Sequence, residues 1–138
     1  MNRITFQQLA ETRLLDAKAL LQAGRFDAAY YLAGYVIECA LKACIAKKTR
    51  EYDFPNKNAH RYYTHNLKSL VEVAGFIGFQ QDLDSDPILA DYWNLVTRWN
   101  EESRYQPRGI EAEDLAANML RAITEEDHGV LQCLSKYW

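Results

Sequence analysis

A chain of 138 residues with a net charge of −3, 49% apolar and 25% charged residues has the size and composition of one globular domain spanning residues 1–138. The acidic balance excludes a generic nucleic-acid coat protein. No apolar run approaches the ~20 residues that cross a bilayer, and the N-terminus MNRITFQQLAETRLL lacks the basic, apolar and small-residue blocks of a signal peptide, so a cytoplasmic protein with no membrane contact is expected.

Three cysteines, Cys39, Cys44 and Cys133, fit the same compartment. The count is odd, no Cys-x-x-Cys pair occurs, and all three lie in apolar, helical sequence, which reads as small buried hydrophobes. Their spacing supplies no zinc ligand cluster, and neither a metal nor a cofactor is expected. Charge is unevenly spread: Lys42 to Lys68 holds seven Lys/Arg against Glu51 and Asp53, leaving nine basic and seventeen acidic residues elsewhere. Such a segment either holds phosphates locally or is a charged loop without a partner.

Helical periodicity dominates the chain. The first helix is expected over 5–22, with Phe6, Leu9, Leu14, Ala17, Leu20 and Leu21 apolar, and Ala23-Gly24 ends it. The short connection forces the second helix, 25–48, to pack antiparallel against it. That helix buries Phe26, Tyr30, Ala33, Ile37, Ala40, Leu41 and Cys44, and Lys47 and Lys48 complement the dipole at its end. Asp27, Tyr31, Tyr35, Glu38 and Lys42 form a second coherent face: at 100° per residue they span ~80° of arc centred ~135° from the core stripe.

Residues 49–64 read as a long polar, basic loop, followed by a short third helix in THNLKSLVEVAG that Gly75 stops. FIGFQQDLDSDP reads as a connector whose Asp/Ser/Pro cluster announces a further helix over 87–103, burying Ile88, Leu89, Tyr92, Leu95, Val96 and Trp99. RYQPRG breaks that helix before Pro107. A last helical region runs from 111 to the C-terminus, with Leu115, Met119, Ala122, Ile123, Val130, Cys133, Leu134 and Tyr137 on one side and Gly129 as a kink or division. The fold class expected is all-α, an up-and-down bundle of four to five helices.

Over LLDAKALLQAGRFDAAYYLAGYVIECALKACIAKK and THNLKSL, with Arg-Tyr closing the fourth helix, the chain resembles the HEPN domain family along nearly its whole length. The resemblance implies a bundle that often dimerises to form a cleft. It also implies metal-independent RNase activity, as in toxin–antitoxin, phage-defence and RNA-processing systems, or a binding role beside a minimal nucleotidyltransferase. The implied partners are a second copy of the chain, a nucleotidyltransferase-type antitoxin, and RNA or a nucleotide.

Catalytic members of the family carry an Arg, a short spacer and a His near the last helix, and two copies meet across the dimer. Arg121 and His128 in RAITEEDH match with six residues between them, and on a continuous helix seven positions rotate by only ~20°, placing both on one face. His128 would serve as general base or acid for attack of a ribose 2′-OH on the adjacent phosphate, and Arg121 would stabilise the phosphorane charge. Departures from the family pattern are Ala122 after the Arg, where a polar residue is usual, and Gly129-Val130 after the His in place of x-Tyr. Glu125, Glu126 and Asp127 also precede His128. An Arg and a His on a solvated helix face, with His128 marking a helix end, is the other reading of the same residues.

On the second face, Glu38 and Lys42 stand in the favourable i,i+4 order, worth only a few tenths of a kcal/mol. If the end of the fourth helix packs alongside, Arg104 would meet Glu38, and Lys42 with Tyr31, Tyr35 and Tyr105 would line a groove for a nucleotide or a partner protein. The alternative is a structural Arg104–Glu38 lock with the tyrosines filling a seam. His65, between Thr64 and Asn66, reads as a helix cap or loop anchor, and NKNAHRYYTH around His60 is a weak nucleic-acid signal.

Overall fold

A computed structural model of the chain describes residues 2–48, 63–74, 76–102 and 112–138. The expected loop at 49–64 with His60, the stop at Gly75, and the RYQPRG break with Arg104 and Tyr105 lie wholly or mostly outside the described residues.

Helix α1, Arg3–Gln22, opens on Asn2, whose side chain accepts from the Thr5 amide at 2.9 Å. It closes at Gly24, where φ is 75°, and the amides of Gly24 and Arg25 return to the carbonyls of Leu21 and Leu20 at 3.1 and 2.9 Å. This left-handed cap satisfies orphan carbonyls and reverses the chain within a few residues. Helix α2, Phe26–Lys48, therefore doubles back along α1 and becomes the centre of the bundle, touching α1, α3, α6 and α7. The helices follow as α3 Leu67–Ala74, α4 Ile77–Ser85, α5 Pro87–Val96, α6 Ala112–Thr124 and α7 Val130–Ser135. The described residues form an all-helical bundle, of seven helices rather than four to five.

By length and composition α2 is apolar enough to cross a membrane, contrary to the expectation that no run is. Its most apolar window is 72% buried inside the bundle. Ala33, Ile37, Ala40, Leu41 and Cys44 are fully buried, as the apolar stripe predicts, and so are Ala29, Val36 and Ala43. Each fully buried Ile or Leu contributes about 1.5–3 kcal/mol.

Two elements differ from the expectation. The stretch read as a connector is helix α4, its inward positions Phe76, Phe79 and Leu83 following the helical period despite Gly78, Asp82 and Ser85. Gly78 lets that helix sit against Tyr137, since a Cβ there would lie 2.9 Å from the ring. Helix α5 ends at Val96 rather than near residue 103, and Ile88 is exposed while Trp93 takes the buried position. Of the two readings of Gly129, kink or division, the last helical region shows the division: α6 stops at Thr124, and a turn through Gly129 intervenes before α7.

Candidate functional site

Two side-chain clusters collect the chemistry-bearing residues. The first lies on α2. Glu38 is 4% exposed, and its carboxylate is held by Lys42 Nζ at 2.9 Å and by His65 Nδ1 at 2.9 and 3.0 Å. His65 Nε2 lies 3.2 Å from Glu101. The anchor reading of His65 thus holds, while the helix caps are its neighbours: the Asn66 side chain accepts from the Ser69 amide at 2.9 Å, and Thr64 Oγ1 accepts from the Asn66 amide at 3.1 Å. A buried carboxylate is tolerated only when its lone pairs are paired, and two cationic-capable groups do that here.

Beside this carboxylate the hydroxyls of Tyr31 and Tyr35 meet at 3.0 Å, and Tyr35 packs edge-on against Trp99 with ring centroids 5.2 Å apart. Trp99 leaves the end of α5, donates its indole N–H to the Tyr31 carbonyl at 3.1 Å, and covers Gly34. A Cβ at Gly34 would fall 2.0 Å from the indole. On this α2 face Glu38 is buried, while Tyr31, Tyr35 and Lys42 are half-buried. The two hydroxyls meet each other, Glu38 is shared by Lys42 and His65, and Trp99 bonds the Tyr31 backbone. The expected role of Arg104 and Tyr105 beside this face falls outside the described residues. Cys39, next to Glu38, has its thiol pushed up to about 11 by burial and then by that carboxylate, so it is a poor nucleophile.

The second cluster surrounds the turn between α6 and α7. Arg121 is exposed in the last turn of α6, and His128 lies beyond the helix end, so the two do not share one helix face. The turn is closed by the Gly129 amide on the Glu125 carbonyl at 2.9 Å, and the His128 amide donates to the Glu125 side chain at 2.5 Å. A Cβ at Gly129 would sit 2.4 Å from that same Glu125 carbonyl oxygen, so glycine is what allows the chain to turn this tightly. The His128 ring is held too: Nδ1 lies 2.7 Å from Oδ2 of Asp86, at the junction of α4 and α5.

The hydrogen bond to Asp86 raises the His128 pKa above its ordinary 6.5, with the charges of Asp86, Glu125 and Asp127 acting in the same direction against partial desolvation. Asp86 is lowered in turn, first by His128 and then by the Leu89 amide. A cleft of about 490 Å³ opens here, lined by Asp82, Asp86, Asp127, His128, Gln132 and Lys136 among others. On its far side Asp82 accepts from Tyr137 at 2.5 Å, Lys136 at 3.2 Å and Cys133 at 3.3 Å. Burial works to raise Asp82, but these donors outweigh it and hold it low. The Cys133 thiol is pushed up to about 12 by burial and by Asp82, and the Tyr137 phenol to about 12 by its bond to Asp82. Both stay protonated near neutrality and act as donors.

Among the described residues, no group of three His, Cys, Asp or Glu side chains is arranged to hold a metal ion. Sequence reasoning missed His65 as the partner of Glu38 and Asp86 as the partner of His128. The Asp-Pro pair does mark Asp86 as a helix cap, but nothing local marks its second role.

No curated protein and no solved structure matches the chain. The HEPN domain family model matches residues 6–126, a span that takes in most of α1, all of α2 to α6 and Arg121, and stops just before His128 and α7. The chain belongs to the HEPN domain family.

Proposed function

We propose that this HEPN module is a metal-independent RNase, the toxin half of a toxin–antitoxin or defence pair restrained by a nucleotidyltransferase-type antitoxin. It acts as a homodimer in which Arg121 and His128 of both copies face one RNA strand. The observation that supports this reading best is the fixing of His128: its amide is tied to Glu125 and its Nδ1 to Asp86, while no described residue bonds Nε2. A histidine held in one orientation at the edge of a cleft, with one nitrogen unengaged, suits proton transfer.

In the reaction, one His128 removes the proton of a ribose 2′-OH, and the 2′ oxygen bonds to the adjacent phosphorus. The bond from phosphorus to the 5′ oxygen breaks, and that oxygen takes a proton from the second copy's imidazolium. Arg121 balances the charge on the non-bridging oxygens. Separation of the pair by the helix end does not oppose this scheme, because the two side chains have different tasks.

A second reading is a non-catalytic module that holds a nucleotide or partner at the region of Tyr31, Tyr35, Glu38, Lys42, Arg104 and Tyr105. The observation in its favour is the acidic lining around His128, where Asp82, Asp86 and Asp127 repel a polyanion. Cleavage of RNA by purified protein in EDTA separates the two. The RNase reading requires cutting by wild type that is lost in Arg121→Ala and His128→Ala with circular dichroism unchanged. Wild-type protein that cuts no RNA across a broad substrate set leaves the binding module.

A further inference from the structure

Asp86 divides its carboxylate between two elements. Oδ1 accepts from the amides of Ile88 and Leu89, each at 3.1 Å, at the start of α5. Oδ2 faces the other way and meets His128 Nδ1 at 2.7 Å, across 42 residues of sequence. Pro87 at the first helical position fixes the backbone beside it. The helix amides therefore set the carboxylate plane, and the plane sets where the ring points.

We propose that Asp86 is the positioning residue for His128: anchored on the α5 amides through Oδ1, it holds Nδ1–H through Oδ2 and leaves Nε2 as the nitrogen that exchanges protons with RNA. This rests on the RNase reading and deepens it. An ionised carboxylate at Nδ1 selects the tautomer with the proton on that nitrogen, so a neutral His128 offers the Nε2 lone pair as base. The imidazolium offers Nε2–H as acid. The other charged groups facing the ring are Glu125 and Asp127 in its own turn, with Asp82 from α4 and Lys136 after α7 lining the same cleft. Asp86 alone among them has a carboxylate oxygen in hydrogen-bond contact with the ring.

The test uses full-length Asp86→Asn, in which Asn still caps α5, with Asp86→Ser as a second capping variant that cannot reach the ring in the same way. NMR titration of the His128 ring is followed alongside RNA cleavage rates from acid to alkaline pH. The proposal expects the His128 midpoint to fall toward 6.5 in both variants. It also expects kcat to fall at least roughly tenfold, KM to hold, and the His128-dependent limb of the pH–rate profile to move with the midpoint. An unchanged midpoint and profile, with wild-type cleavage intact, overturns the role of Asp86 and spares the RNase reading. Absence of wild-type cleavage overturns the RNase reading and the positioning role with it. A lowered NMR midpoint in that case shows the Asp86–His128 contact to be structural.

Discussion

The imidazole of His65 reaches 27 residues back to the buried carboxylate of Glu38, Nδ1 to Oε2 at 2.9 Å, and joins the start of α3 to the middle of α2. Lys42 completes the arrangement from one turn further along α2. Removing the carboxylate takes the acceptor from Lys42 and from His65 Nδ1, while His65 Nε2 keeps Glu101. Glu38→Ala is expected to destabilise the protein by about 2–4 kcal/mol, at or just below the range for breaking a buried pair because His65 keeps access to solvent. Glu38→Met, similar in volume, loses less than Glu38→Ala because it leaves no cavity. Urea unfolding midpoints, with m unchanged, check the order.

Gly34→Ala sets two effects against each other. Alanine in a helix interior gains about 1 kcal/mol over glycine. The added Cβ, however, would overlap Trp99, whose ring is buried, 2% exposed, and pinned by its bond to Tyr31. Displacing a packed indole costs about 1–3 kcal/mol or more, so a net loss is expected. A lower Tm with reduced near-ultraviolet circular dichroism is the result to look for.

The acid limb of stability should report Asp82. Its folded pKa is held below the ordinary 3.8 by the donors Tyr137, Cys133 and Lys136, against burial. A depressed carboxylate contributes stability that is present above 3.8 and is lost as pH falls through the lower folded value. Asp82→Asn is therefore less stable than wild type at pH 7, and the difference shrinks below pH 3.8. A difference that stays constant into that acid range would show that the charge of Asp82 is immaterial.

Gly129→Ala places a methyl group against the Glu125 carbonyl that the turn needs. The turn must open, and His128 moves with it. The expected outcome is a modest loss of stability, about 1–3 kcal/mol, with a larger proportional loss of RNA cleavage. Thermal unfolding and cleavage rates on the same preparation separate the two effects.

What the sequence made legible was local. Gly24 as a left-handed helix end, the α1–α2 hairpin, the buried stripe of α2 and the Glu38–Lys42 pair all follow from spacings of a few residues. Helix α4 was obscured because Gly78, Asp82 and Ser85 read as turn formers, although Phe76, Phe79 and Leu83 carried the helical period. The end of α5 was obscured because Trp99 is buried either way, and only its docking on Gly34 shows that it does so from outside the helix. The candidate site was half legible. Arg121 and His128 stand out by type and spacing, but the division at Gly129 depends on a close approach of backbone to backbone. Asp86 and His65 take their partners from 42 and 27 residues away, a distance over which one sequence carries no pairing signal.

The most direct measurement is the end group left on RNA cut by the purified protein in EDTA. The account predicts 2′,3′-cyclic phosphate ends, or the 3′-phosphate from their hydrolysis. Arg121→Ala and His128→Ala should each lower the rate by about 100-fold or more. Ends bearing a 3′-hydroxyl, or cutting that survives both substitutions, would contradict it.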